Sequence, residues 1–319
     1  MFAACLAMLC TIAAGNPVLA ELRRRKLGKG HDEDAPAEYA SKVGTPVMGG
    51  IIFLTGIVIA TLIFAVPRDR DTLVPLLAML AAAALGMFDD FQTLVGRGKM
   101  EAHAPWFWMV KWAVTIGIAS AVFVYLYTQL DFKHILVPHY GAYSLGILYI
   151  PLAVVIFVVA TSGAAITDGM DGLMAGVSAI AFAAYGAIAL SQGQDGLGAF
   201  AFSVAAACGG FLWFNAYPAR VFMGDTGALA LSVGIVVVAF MTGWWLLLPV
   251  IGVVFVLEGA SDVLQIGYYK LSKGKRILRR APIHYHFQLG GWPETVVVAR
   301  FWVIGLLGAF VGVGLAVME

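Results

Sequence analysis

Ten apolar stretches leave this 319-residue chain few ways to fold. They lie near residues 2–20, 47–66, 73–89, 105–127, 145–165, 172–191, 197–216, 226–242, 244–265 and 297–317. About 20 apolar residues span the hydrocarbon core as a helix, and a backbone in lipid must satisfy its own hydrogen bonds. The sequence therefore predicts an all-α, polytopic integral membrane protein with ten transmembrane helices in a single transmembrane domain, 1–319. Composition agrees. The chain is 61% hydrophobic and 12% charged, against roughly 25% charged in soluble domains. Residues 226–265 are nearly continuous and too long for one crossing at the rise of a helix, so a tight turn is placed at Gly243. Val18-Leu19-Ala20 could suit a signal peptidase, but Arg23, Arg24, Arg25, Lys26 and Lys29 follow the first stretch rather than precede it. A cleaved signal carries its charge in front, so this stretch reads as a retained helix. The net charge of +1 suggests no nucleic-acid partner. Cys5, Cys10 and Cys208 sit in apolar runs without disulfide or metal spacing. No internal repeat, low-complexity tract or soluble domain is visible.

Ten crossings put both termini on one side. The connections 21–46, 90–104, 166–171, 217–225 and 266–296 then share a face, and they hold fifteen Lys and Arg residues against three in the opposite loops. The positive-inside rule makes the richer face cytoplasmic, with both termini extracytoplasmic. Lys and Arg alone set this orientation. Asp89, Asp90, Asp168, Asp171 and Asp225 all fall on the same cytoplasmic face. Ionisable groups at membrane segments are costly and usually functional, so these acids describe a site. The connection 266–296 has room for a short amphipathic helix.

Four polar motifs carry the chemistry. Asp89-Asp90 ends the third stretch, where paired carboxylates suit a hard divalent ion that also takes substrate phosphates; an exposed helix cap is the plainer alternative. In Thr167-Asp168-Gly169-Met170-Asp171-Gly172 the glycines leave room for a ligand, and a loop opening a helix offers N–H groups to an anion; a turn with a capping Asp competes with that reading. Asn215 to Gly227 is the most specific stretch: Asp225 could hold metal or cap a helix, and Phe222 could stack on a base. His284 and His286 follow a basic run and suit phosphate contact, although a lone His pair is more often structural. Glu258 and Asp262 share a helix face and could pair with Lys111 or Arg300.

Together these residues resemble the polyprenyl-phosphate N-acetylhexosamine-1-phosphate transferase superfamily, and within it the phospho-N-acetylmuramoyl-pentapeptide transferases. The resemblance runs from about Asp34 to Arg300. Gly44 to Gly50 looks like a GTPTMGG element, preceded by Asp34-Ala35-Pro36. Phe88-Asp89-Asp90 resembles the paired-aspartate motif, Thr167 to Gly172 a TDGLDG motif, and Asn215 to Gly227 an NxxPAxVFMGDTG motif. Glu258, Ser261 and Gln265 match an ExxSxxxQ helix. Ala281 to Phe287 with Gly291 to Glu294 resembles APIHHHF and GWPE, which separates this branch from the GlcNAc-1-phosphate branch. The chain departs at Tyr285, in place of the middle histidine, and at Ala165, Tyr39 and Val47. Thr93 stands where a lysine usually follows the aspartate pair.

The resemblance implies transfer of phospho-N-acetylmuramoyl-pentapeptide from UDP-MurNAc-pentapeptide to undecaprenyl phosphate, giving lipid I and UMP in peptidoglycan synthesis. It implies an Mg²⁺-dependent enzyme of the bacterial inner membrane, with its active site cytoplasmic. Asp225 is the expected chief Mg²⁺ ligand, joined by Asp89 and Asp168. Asp89 and Asp90 position or deprotonate the lipid phosphate or hold the metal, and His284 and His286 contact phosphate or the sugar-peptide. Gly169, Met170, Asp171, Asn215 and Phe222 line a uridine pocket. Membrane lipid is a further partner; a homodimer is allowed but not required. The alternatives are a GlcNAc-1-phosphate transferase, separable by donor use, an inactive homologue, and a cation-coupled transporter. A transporter places its charges near the midplane between repeated halves, and the sequence does not.

Overall fold

The computed structural model describes residues 1–25, 27, 28, 42, 44–95 and 105–318. Asp34-Ala35-Pro36 and Tyr39, with Lys26, Lys29, Arg97 and Lys99, lie outside the described residues. Twelve α-helices are described: α1 Phe2–Arg24, α2 Gly50–Ala60, α3 Leu73–Val95, α4 Pro105–Gln129, α5 Tyr149–Ala165, α6 Leu173–Ser191, α7 Asp195–Asn215, α8 Gly224–Met241, α9 Leu248–Ile251, α10 Val253–Leu271, α11 Ile283–Gln288 and α12 Glu294–Val317. A short antiparallel hairpin, β1 His134–Val137 and β2 Gly141–Ser144, joins α4 to α5, with His134 opposite Ser144. This hairpin departs from the all-helical expectation.

Eight described helices are long and apolar enough to cross a membrane, and a ninth span counts if the bent pair α9–α10 is one crossing. The α2 segment, extended by a π-helical turn at Thr61–Ala65, falls short of that length. The break at Gly243 is present as a turn with φ +77°, and Leu136 of the hairpin packs against it. The stretch expected as one helix over 244–265 instead bends by 80° between Ile251 and Val253 and runs on to Leu271. In the connection 266–296 the helix anticipated there is α11, which carries the His pair.

The core centres on α8. Residues 230–242 are buried all round, the signature of a helix enclosed by others. Phe240 packs edge-on against Phe123 and Tyr149 and stacks on Trp245, which joins α4 and α5 to this helix. Along its other side α8 lies against α3, the most extensive helix pairing among the described residues. The approach is closest at Gly86, where a methyl group would lie 2.1 Å from the Asp225 carbonyl oxygen. Only glycine permits that contact, and it sets the ends of α3 and α8 side by side. Gly86→Ala is therefore expected to cost about 1–3 kcal/mol through overpacking, read as a lower thermal unfolding midpoint; an unchanged midpoint would show that the helices separate easily here.

Candidate active site

A cavity of about 330 Å³ opens where α3 ends and α6 and α8 begin. Nine of the eleven residues singled out in the sequence line it: Asp89, Asp90, Asp168, Gly169, Met170, Asp171, Asn215, Phe222 and Asp225. Lys42, Val47, Thr93, Leu94 and Gly224 complete the wall. His284 and His286 are not part of that lining.

The two adjacent aspartates diverge. Asp90 turns into the protein and caps α8. Its carboxylate accepts hydrogen bonds from the Asp225 N–H at 2.9 Å, the Thr226 N–H at 2.9 Å and the Thr226 hydroxyl at 2.6 Å. These are the free N–H groups of a helix start, where an anion is favoured. Asp89 turns to the cavity and pairs with the Lys111 ammonium. Lys111, from α4, also reaches Asp225 at 3.0 Å. Two carboxylates from different helices thus converge on one cationic point. Lys111 pairs here and not with Glu258 or Asp262, and Arg300 stacks over Trp292 at 3.9 Å.

The loop before α6 is held by buried charge. Lys42 donates to Asp171 and Glu294, both at 2.7 Å, and Glu294 accepts from the Asp171 N–H at 2.8 Å. Asp171 also accepts from the Ala219 N–H at 2.9 Å. Gly172 takes φ +78° and gives its N–H to Asn215, whose amide donates onward to the Val221 carbonyl. Asn215 therefore fixes the loop before α6 to the loop before α8. The half-buried Phe222 ring faces the Lys42 ammonium at 6.0 Å.

Behind this loop stands α10. Its Glu258, Ser261 and Gln265 share one helical face, and each holds α11 or the segment leading to it. Gln265 accepts from the Ile277 and Leu278 N–H groups, and Ser261 accepts from the Ile283 N–H. Glu258 binds His284 Nδ1 at 2.8 Å, with both side chains fully buried. The His284 ring fills the space beside Gly169, where a methyl would lie 2.2 Å from Nε2. The room at Gly169 that the sequence assigned to a ligand is thus taken by this imidazole on its inner side. Tyr285 donates to the Gly169 carbonyl at 3.3 Å. His286 accepts from the Arg279 N–H at 3.1 Å and faces the connection.

Among the described residues, no three His, Cys, Asp or Glu side chains are grouped to hold a metal. Asp89 and Asp225, however, already share one cation. Mg²⁺ commonly takes one or two carboxylates and leaves its other positions to water and phosphate oxygens. The donor chemistry of this pair fits such an ion.

Sequence reasoning missed the Lys42–Asp171–Glu294 cluster and offered Lys111 to Glu258 or Asp262, whereas it pairs with Asp89 and Asp225. Signals existed for both. Glu294 is an acid at the start of the last apolar run, and Lys111 is a charge inside one, which requires a partner.

Fold and cavity define a multi-pass membrane protein that gathers its carboxylates at neighbouring helix ends. A family model for glycosyl transferase family 4 matches residues 72–243, which hold all five aspartates. Proteins named phospho-N-acetylmuramoyl-pentapeptide-transferase are similar over nearly the whole chain. The one from Chloroflexus aurantiacus is 40% identical over 98% of this chain and 88% of its own length. The Moorella thermoacetica protein is 41% identical over 96% and 95%, and the Geobacillus protein 38% over 97% and 95%. The chain belongs to the phospho-N-acetylmuramoyl-pentapeptide-transferase family.

Removing Lys42 leaves two buried carboxylates unpaired, so Lys42→Met is expected to cost about 3–5 kcal/mol, measured by thermal unfolding. Burial alone would depress the Lys42 pKa, but hydrogen bonds and attraction from Asp171 and Glu294 outweigh it and hold it above the ordinary value. A raised folded-state value contributes stability that is fully present below the unfolded lysine value, about 10.4, and lost as pH rises through the folded one. The wild-type protein should lose this contribution on alkaline titration, and Lys42→Met should lack that component. Identical alkaline profiles would refute the assignment.

Proposed function

We propose that the chain transfers phospho-N-acetylmuramoyl-pentapeptide from UDP-MurNAc-pentapeptide to undecaprenyl phosphate, releasing UMP and forming lipid I. The observation that carries this reading is the convergence of Asp89 and Asp225 on one cation, in a cavity shared with Asp168 and the Asn215-braced loops. The reaction brings two anions together. Its net change breaks the bond between the β-phosphorus and the bridging oxygen of the diphosphate and forms one to a lipid phosphate oxygen.

The residues divide the work. Asp225 and Asp89 would hold Mg²⁺, with Asp168 on the same cavity wall; the ion, when bound, offsets diphosphate charge and stabilises the departing UMP. Asp89, which faces the cavity, is also the group placed to take a proton from the lipid phosphate. Asp90 is a positioning residue, because its oxygens are spent on the start of α8. Phe222 offers a ring face to uracil, and Gly169, Met170, Asp171 and Asn215 shape the pocket around it. His284 acts from behind, holding Gly169 in place under the fixed orientation that Glu258 imposes. His286, beside Arg279, lies on the basic connection where the sugar-peptide end of the donor would lie.

The bundle makes ten crossings in this reading, with α2 and the bent α9–α10 pair each counted as one. Both termini then lie outside and the cavity faces the cytoplasm of a bacterial inner membrane, in keeping with the excess of Lys and Arg in the connections of that face. Soluble donor and membrane-bound acceptor can meet there. A second copy of the chain is not required.

Asp225→Asn is expected to lower UMP release by about 10²-fold or more with folding intact, and omission of Mg²⁺ should stop turnover of the wild type. The purified protein should form lipid product from UDP-MurNAc-pentapeptide and not from UDP-GlcNAc. The opposite donor preference would move it to the GlcNAc-1-phosphate branch, and full activity of the Asp225 variant would remove the metal role.

A further inference from the structure

We propose that Lys111 is a resident counter-ion that competes with a divalent cation for Asp89 and Asp225. The inference rests on the metal reading above and deepens it. Two cavity carboxylates brought this close repel one another unless a cation stands between them. Lys111 provides that cation from within the chain: its ammonium contacts Asp89 and lies 3.0 Å from Asp225. The same oxygens are those a metal would use, so the two cations exclude each other.

Lys111 is built to leave. It comes from α4, whereas the carboxylates sit on α3 and α8. Its side chain is 22% exposed, and an ammonium on a flexible four-carbon stem reorients readily. The Trp108 ring, 5.9 Å from the ammonium, offers a second seat through cation–π attraction. Once displaced, the ammonium stays beside the cavity, where a phosphate would attract it. Three positions past Asp90 stands Thr93, an uncharged residue that also lines the cavity. Lys111 therefore supplies from a neighbouring helix the positive charge that the end of α3 lacks.

The test is Mn²⁺ binding to the purified full-length protein in detergent, followed by the electron paramagnetic resonance signal of the free ion. Lys111→Gln removes the competitor, and its Kd should be at least about tenfold lower than that of the wild type, equivalent to about 1.4 kcal/mol. Lys111→Arg grips carboxylates through a two-pronged guanidinium, and its Kd should rise by about threefold or more. A purely structural lysine would move both variants in the same direction. Asp225→Asn should abolish binding and so anchors the metal reading independently. Unchanged or weaker binding in Lys111→Gln, with Asp225→Asn still null, overturns the competition and leaves the metal site standing. Should Lys111→Gln fail to fold, an unaltered or tighter Kd in Lys111→Arg overturns it equally. No Mn²⁺ binding in the wild type or in Lys111→Gln overturns both readings.

Discussion

The site depends on one hydrogen-bonded clasp, the Asp90 carboxylate closed over the first N–H groups of α8. A helix start buried among other helices cannot leave those groups to water. Here a carboxylate from the end of α3 satisfies two of them and the Thr226 hydroxyl besides. The clasp closes only because α3 and α8 touch backbone to backbone at Gly86. With that distance fixed, Asp89 and Asp225 have to face the same cavity. Of two adjacent and chemically identical residues, one closes over a helix start while the other faces the cavity.

A second device holds the opposite wall. Lys42, Asp171 and Glu294 form a compact buried ionic cluster that joins the segment before α2, the loop before α6 and the first residue of α12. Burying charge is costly, and a pair is tolerable only with its remaining bonds satisfied. Asp171 meets this by also accepting from Ala219, and Glu294 by accepting from Asp171. From the far side the Glu258–His284 pair presses an imidazole against Gly169. The loop is thus gripped from two directions, and Asp168 and Met170 lie on its cavity side. Polar groups this heavily committed favour a preorganised pocket over one that assembles around its ligand.

Much of this was legible in the sequence, for physical reasons that differ by element. Hydrophobic length announces membrane helices because lipid leaves few alternatives, so most spans and the turn at Gly243 could be placed. The bend at Gly252 and the shortness of α2 could not, since both segments remain apolar through the change and length alone cannot see a kink. The shared cavity of the aspartates agrees with the sequence reading that set them on one face. Their division of labour did not: nothing in Asp89-Asp90 says which carboxylate meets a helix start and which meets a lysine. The partners of Lys111, Glu258 and Lys42 are likewise 22 to 252 positions away along the chain. Such pairings are facts of packing rather than of local pattern.

Lys111 shows how far local comparison can mislead. Measured against the motif it resembles, the chain lacks one lysine after its aspartate pair, and Thr93 stands in that place. Read by position alone, the lack suggests an impaired site. Read in space, a positive charge sits beside the same carboxylate, delivered from α4 instead of α3. Electrostatics is indifferent to which helix carries a charge and depends on where the charge ends up. Geometry is not indifferent, because a lysine reaching across from another helix bridges two carboxylates that a neighbour on α3 would approach from a different side.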